Sequence, residues 1–342
     1  MTAAKAGDDM RKPRVWALLG PHRGDNNQVL ALAEALGVPF EIKALRYNRW
    51  RHLQPRLLGA SLRSVSRASR ALVVGDPPDL TISTGHRSAP VIQFIRHRSG
   101  GRTRSVHIGF PRLPPERFDL LVATPEYPIP DRPNVMRIPL ALSSGGPDPA
   151  KVEPSDAVPE RFKSPRSLLV LGGPSLYWTL SPDDVSEALS RLLDSQGSEG
   201  SVLVVGSPRT PSNVLRAVER QLAAATRGAM LVPMNGPPSY PQLLAAADRI
   251  FVTADSVAMV SEAVAMGKPV GLVMIRQTLG GRIYMNLMDR IRPEKRIYPR
   301  DLRFFWRGLH DACLVGTVEH PAQGRVPDVM AQVVARVRRL ID

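Results

Sequence analysis

The sequence predicts an α/β protein made of two parallel-sheet domains facing one another across a cleft. Three observations carry this. Short strands rich in Val, Ile and Leu alternate with helical segments over most of the chain, the pattern of parallel sheets covered on both faces. The alternation breaks once, from Leu142 to Pro165, in a stretch rich in Pro, Ser and Gly that reads as a linker. A chain of 342 residues also exceeds one comfortable core and suits two domains. The expected division is a domain over 1–142, a linker over 143–165, a second domain over 166–324, and a C-terminal helix over 325–342 that could pack back towards the first domain.

In the first domain a strand from Arg14 to Leu19 ends at Gly20, and a helix that Asp25 or Asn26 can cap follows from about Asn26 to Leu36. Pro39 to Leu45 is a second strand, and the basic segment after it reads as helical to about Ser69. Leu80 to Ser83 is a buried strand that leads to a helix from Ala89 to Arg98. Ser105 to Ile108, Leu120 to Ala123 and Val135 to Ile138 are three more strands.

In the second domain a strand from Ser167 to Leu171 ends in Gly172-Gly173. Ser181-Pro182-Asp183-Asp184 then combines a cap, a proline at the first helical position and acids in the first turn. Strands at Val202 to Val205 and Met230 to Val232 precede helices starting at Thr210-Pro211 and at Tyr240. A strand from Arg249 to Thr253, a helix from Val257 to Met266 and a strand from Pro269 to Ile275 follow. Residues 279–324 show no clear pattern. An amphipathic helix runs from about Val326 to Ile341.

Composition narrows the function. A single cysteine, Cys313, excludes an intramolecular disulfide and any cysteine-rich metal site. The first residues hold acids and no apolar core, unlike a secretory signal, and no apolar run has the length of a spanning helix. The expected location is cytoplasmic, soluble or peripheral at the inner face of the plasma membrane. The net charge of +15 favours an anionic partner. Ile42 to Gly75 contains no acid, yet holds Arg46, Arg49, Arg51 and Arg56 interleaved with Trp50 and leucines. That mixture suits an anionic headgroup interface, and equally an arginine-rich solvated helix face. Nucleic acid ranks below both, because zinc-finger spacing, an aromatic RNA-binding run and a recognition-helix signal are all missing.

The most informative segment is FVTADSVAMVSEAVAMGKPV, Phe251 to Val270. A strand turns at Asp255-Ser256 into a small-residue helix that Gly267 stops. Asp255, Met259 and Glu262 are spaced to share a helix face. A helix N-terminus followed by a carboxylate can hold a nucleotide, with phosphate at the N–H groups and ribose at the acid. The plainer alternative is a cap on a surface helix with a solvated Glu262. Other loops that follow strands add candidates. Gly172 and Gly173 form a possible anion cradle, and Arg209 beside Thr210 at a helix start suits a pyrophosphate. In the first domain Gly20, Arg23, Gly24 and Asn26 lie on a loop after a strand where two glycines let the backbone approach a ligand, with Arg87 on another such loop. Asp25, His22, His86 and His107 are the candidate bases, with Asp25 leading and His86 and His107 behind it, although each histidine alone reads as an ordinary hydrogen-bonded residue. GxGxxG after the first strand, GxxxxGK[ST], Tyr-x-x-x-Lys, GxSxG, HExxH and Asp-x-Asp are all missing.

Four blocks, GDNNQVLALAEALG (Gly24 to Gly37), DLTISTGHRSAP (Asp79 to Pro90), VHIGFPR (Val106 to Arg112) and VTADSVAMVSEAVAMGKPV (Val252 to Val270), resemble the mitochondrial-fission ELM-type family in order and spacing. That family is also described as glycosyltransferase-like. The resemblance spans about Val15 to Ile275. More broadly, Ser256, Glu262, Ala263, Gly267 and Pro269 resemble the donor-domain motif of GT-B glycosyltransferases, which have two Rossmann-like domains. The resemblance implies Glu262 on ribose and Ser256 on the phosphate side, with the Gly20 to Asn26 loop and the Arg87 loop on the acceptor side. It implies a nucleotide-sugar substrate, no cofactor, no metal, and a membrane-lipid-linked or cell-envelope glycan acceptor. Some plant members are described as recruiting a partner in organelle division, which implies the rival role of a noncatalytic peripheral membrane scaffold. The donor sugar, the acceptor's identity and the oligomeric state stay open.

Overall fold

The computed structural model describes residues 12–143, 158–159, 162–195, 200–225, 228–234, 236–291 and 300–341, without the Arg23 side chain. Most of the expected linker therefore lies outside the described residues. The chain divides into two compact units, one of Met1–Ala123, Ile129–Met136 and Met330–Asp342, the other of Thr124–Pro128 and Arg137–Val329.

Unit 1 runs β1 (Val15–Leu19), α1 (Arg23–Ala35), β2 (Phe40–Ala44), α2 (Pro55–Leu58), α3 (Arg67–Ala71), β3 (Leu80–Thr84), α4 (Ala89–Arg98), β4 (Arg104–Ile108), β5 (Leu120–Ala123) and β6 (Val135–Arg137). The sheet order is β2-β1-β3-β4-β5-β6, and the first five strands are parallel. Leu80, Ile82, Val106 and Leu121 are fully buried in it, as expected of strands covered on both faces.

Unit 2 contains β7 (Arg166–Val170), β8 (Trp178–Thr179), α5 (Pro182–Ser195), β9 (Ser201–Val205), α6 (Ser212–Ala224), β10 (Ala229–Val232), α7 (Tyr240–Ala246), β11 (Arg249–Thr253), α8 (Val257–Ala265), β12 (Val270–Val273), β13 (Arg276–Gln277), α9 (Leu279–Ile291) and α10 (Leu302–Asp311). Its five-stranded parallel sheet has the order β10-β9-β7-β11-β12. The chain thus winds outward from β7 in one direction, then returns to place β11 on the other side. The point of reversal, between β7 and β11, is where ligands collect in open α/β sheets. The last helix, α11 (Val329–Ile341), buries Val333 and Val337. Within unit 1 the Arg338 guanidinium donates to the Leu36 carbonyl at 3.2 Å and that of Arg336 to the Pro133 carbonyl at 2.8 Å.

The two-sheet α/β fold matches the expectation, and three details differ. Helix α1 begins at Arg23, so Asp25 and Asn26 lie inside it instead of capping it. The basic segment is no continuous helix. Asn48 caps a short 3₁₀ turn over Arg49–His52, Pro55 opens the four-residue α2, and Gly59 ends it in a left-handed conformation, φ 59°. Among the described residues, 279–324 hold two helices. In α10 the Asp301 side chain accepts the Arg303 N–H at 3.1 Å, and Leu302, Phe305, Trp306 and Leu309 form one buried face. Among the described residues no helix is long and apolar enough to cross a membrane.

Candidate functional site

At the switch point of unit 2 the loops after β7, β9 and β11 are fastened by one buried carboxylate. Asp255 is 1% exposed. It accepts the Gly173 N–H at 2.9 Å, the Thr253 hydroxyl at 2.7 Å and an Arg209 guanidinium N–H at 2.9 Å. Thr253 in turn accepts the Gly172 N–H at 2.7 Å. A Cβ on Gly172 would collide with the Asp255 carboxylate, and one on Gly173 with the Arg209 carbonyl. The two glycines are therefore required by close packing. Their N–H groups are taken up within the protein, which corrects their reading as an open anion cradle. Thr210 is likewise engaged: its hydroxyl accepts the Ser207 N–H at 2.8 Å and lies 2.9 and 2.7 Å from the Leu171 and Gly172 carbonyls. Asp255 precedes the helix and points into the β7 loop, so it does not share a face with Met259 and Glu262.

What remains open to a ligand lies along α8. Ser256 is its N-cap, and its hydroxyl accepts the Met259 N–H at 3.4 Å. Met259 and Glu262 occupy the partly exposed face, while Val257, Val260, Ser261 and Val264 are buried. Burial pushes the Glu262 carboxyl above its ordinary range, and the neighbouring Tyr240 hydroxyl opposes that rise. Burial, and then the Glu262 charge, pushes the Tyr240 phenol well up. The Tyr240 hydroxyl is buried beside Glu262 without a well-aligned hydrogen bond. A desolvated carboxylate beside a buried hydroxyl keeps acceptor capacity for a ligand's donors. Arg209, its side chain half exposed, keeps guanidinium N–H groups beyond the one given to Asp255 and a 3.4 Å contact to the Pro174 carbonyl. The sequence places Tyr240 at the start of a helix, closing a loop that could line a base pocket, and pairing it with Glu262 takes the fold. Lys268, at the end of this segment, is structural: its ammonium donates to the Leu244, Ala245 and Ala247 carbonyls at 3.0, 2.5 and 2.6 Å, closing the end of α7.

In unit 1 the loops after β1, β3 and β4 are brought to one sheet edge by the register Leu18↔Ser83 and Thr84↔Ile108. Asn26 holds both the N–H and the carbonyl of Gly20, at 2.8 and 2.9 Å, which braces this loop against the first turn of α1. The space over Gly20 and Gly24 is open, and Asp25 lies in the first turn of α1. His107 is corrected as a base. It is fully buried, its Nδ1 lies 2.8 Å from the Ser83 hydroxyl, its ring stands 5.1 Å from that of Phe118, and burial pushes it down to about 3. His86 is half-buried at the same edge. Desolvation, then Arg112, Arg87 and His22, push it down to about 4, which weakens it as a base near neutral pH. In the basic segment Arg46, Arg49, Trp50, Arg51 and Arg56 are all exposed, and the Arg49 guanidinium lies 5.5 Å over the Trp50 ring. Among the described residues no group of three or more His, Cys, Asp or Glu could hold a metal.

The family model for mitochondrial fission ELM1 matches residues 23–301. The chain belongs to that family. The ELM1 relative from Arabidopsis thaliana, a mitochondrial fission protein, is 28% identical over 244 residues, which cover 64% of this chain and 56% of that one. The chain thus matches little more than half of its ELM1 relative. Among solved structures, the UDP-GlcNAc 2-epimerase of Neisseria meningitidis bound to UDP-GlcNAc is similar at TM-score 0.52 and 13% identity, covering 95% of this chain and 98% of that one. A glycosyltransferase of Rickettsia africae is similar at TM-score 0.52 and 10% identity, over 97% and 99%. At such identities these likenesses show the fold: this ELM1-family chain has the α/β fold of the GT-B glycosyltransferases and epimerases.

Proposed function

We propose that the chain is a glycosyltransferase that needs no metal, takes a nucleotide sugar in unit 2 and passes the sugar to a lipid-linked or cell-envelope glycan acceptor. One observation carries this reading: a desolvated carboxylate, Glu262, lies on the open face of a helix whose N-terminus stands at the switch point of a parallel sheet. On this reading Glu262 accepts the ribose hydroxyls and Met259 lies against the nucleoside. The α8 N-terminus and the free N–H groups of Arg209 stabilise the departing diphosphate. Asp25 takes the proton from the acceptor hydroxyl during direct displacement at the anomeric carbon. The solved epimerase that carries UDP-GlcNAc lends weight to a uridine nucleotide as the first donor to try.

The test is a thermal-shift panel of UDP-, GDP-, CMP- and dTDP-sugars. One nucleotide class should raise the melting temperature, and Glu262→Ala should abolish that rise. A flat response to every nucleotide would overturn the reading. A second reading, a noncatalytic peripheral membrane scaffold, is favoured by the side chains of Trp50 and Leu57, 47% and 71% exposed amid Arg49, Arg51 and Arg56. It expects binding to anionic vesicles with no nucleotide response.

A further inference from the structure

We propose that unit 1 carries a phosphate-binding site of its own, formed by His22, His86, Arg87 and Arg112 at the carboxyl ends of β1, β3 and β4. The strand register sets the three loops side by side. Arg112, Arg87 and His22 all act on the His86 ring, and no acid is among the groups that do. The Arg87 and Arg112 guanidinium groups thus bear on one partly desolvated ring that their charge keeps neutral, and an anion bound there offsets that positive potential. The Arg87 Nε is buried without a hydrogen-bond partner among the described residues, although a buried guanidinium N–H ordinarily finds an acceptor. Arg112 holds a left-handed backbone, φ 55°, which a non-glycine residue adopts only where its surroundings impose it.

The thirteen-residue helix α1 adds to this. His22 is its N-cap and its side chain makes no capping hydrogen bond, so first-turn N–H groups face the same edge. The space over Gly20 is open for an incoming group. Asp25, in that first turn, is the one acid of the turn and opposes an anion. The ligand chemistry is a phosphate or diphosphate, from either a nucleotide or a phosphorylated lipid acceptor. The site stands on unit 1 alone, and only its link to sugar transfer rests on the reading above.

The test is calorimetric titration of the full chain with inorganic pyrophosphate. Binding should weaken about ten-fold or more in both Arg87→Gln and Arg112→Gln and strengthen in Asp25→Asn. It should be unchanged in Arg220→Gln, which removes an exposed charge from α6. On saturation the His86 ring should titrate upward from about 4, read by nitrogen-resolved NMR. Arg87→Lys, which keeps the charge, separates loss of the site from loss of the fold, as does the melting curve of each variant. Failure of the wild type to bind pyrophosphate, or wild-type affinity retained in Arg87→Gln and Arg112→Gln, would overturn the proposal. Repeating the titration with UDP and with a short prenyl diphosphate assigns the source to whichever ligand loses affinity in the two arginine variants. Thermal shifts with nucleotide sugars score the transferase reading separately, whatever pyrophosphate does.

Discussion

The Asp255 carboxylate accepts the Gly173 N–H at 2.9 Å, joining the loops on either side of the switch point in unit 2. Because it also holds Thr253 and Arg209, its removal strands a buried N–H and frees an arginine. Asp255→Ala should therefore cost about 2–4 kcal/mol of stability, measured by urea denaturation. Arg209→Ala should cost less, about 1 kcal/mol, since its guanidinium is half exposed. Equal losses would show that Asp255 matters only as the partner of Arg209.

Glu262 and Tyr240 titrate against each other. Burial raises the Glu262 pKa, so the folded state binds its proton more tightly than the unfolded chain does. Stability linked to this group is full below the ordinary carboxylate range and declines as pH rises through the raised value. Glu262→Gln should remove that decline. Tyr240→Phe deletes the hydroxyl that opposes the rise, so Glu262 should then titrate at still higher pH. Carbon NMR of the glutamate carboxyls reads both effects, and an unmoved Glu262 signal in Tyr240→Phe would refute the pairing.

His107 works in the other direction. Its folded pKa, pushed down to about 3 from an ordinary 6.5, means that the unfolded chain takes the proton first as pH falls. Stability should drop below about pH 6.5, by at most about 1.4 kcal/mol per pH unit from this group. His107→Gln should start less stable, having lost the partner of Ser83, yet show a shallower slope between about pH 6.5 and 5. Denaturation midpoints across that range decide it.

Lys268 closes α7 through three carbonyls. Lys268→Met keeps the stem and removes the donor, and should cost about 1–3 kcal/mol. Hydrogen exchange should quicken at the end of α7 before it quickens in β11. Uniform exchange along both elements would contradict a local role.

Much of the fold is legible in the sequence because the central strands are short buried runs closed by a glycine or a polar turn, as in Leu80–Thr84 or Arg249–Thr253. The start of α1 is not, because Asn26 looks like a cap and is used to grip Gly20 instead. The α10 face of Leu302, Phe305, Trp306 and Leu309 has helical spacing with Asp301 ahead of it, but the proline- and arginine-rich residues before it conceal the signal. At the site, spacing puts Met259 and Glu262 on one face. It misplaces Asp255, since helical periodicity does not extend past the Ser256 cap. Partners far apart in sequence, such as Tyr240 with Glu262, become visible only through the fold.

Helix α11 belongs to unit 1 through Val333, Val337 and the two arginines that reach Leu36 and Pro133. During synthesis the ribosome releases β1 to β5 some two hundred residues before the helix that completes their unit. Unit 2 has its whole sheet in hand by then. The half translated first is thus the half finished last, and nascent-chain proteolysis should find it cleavable until residues near 340 emerge.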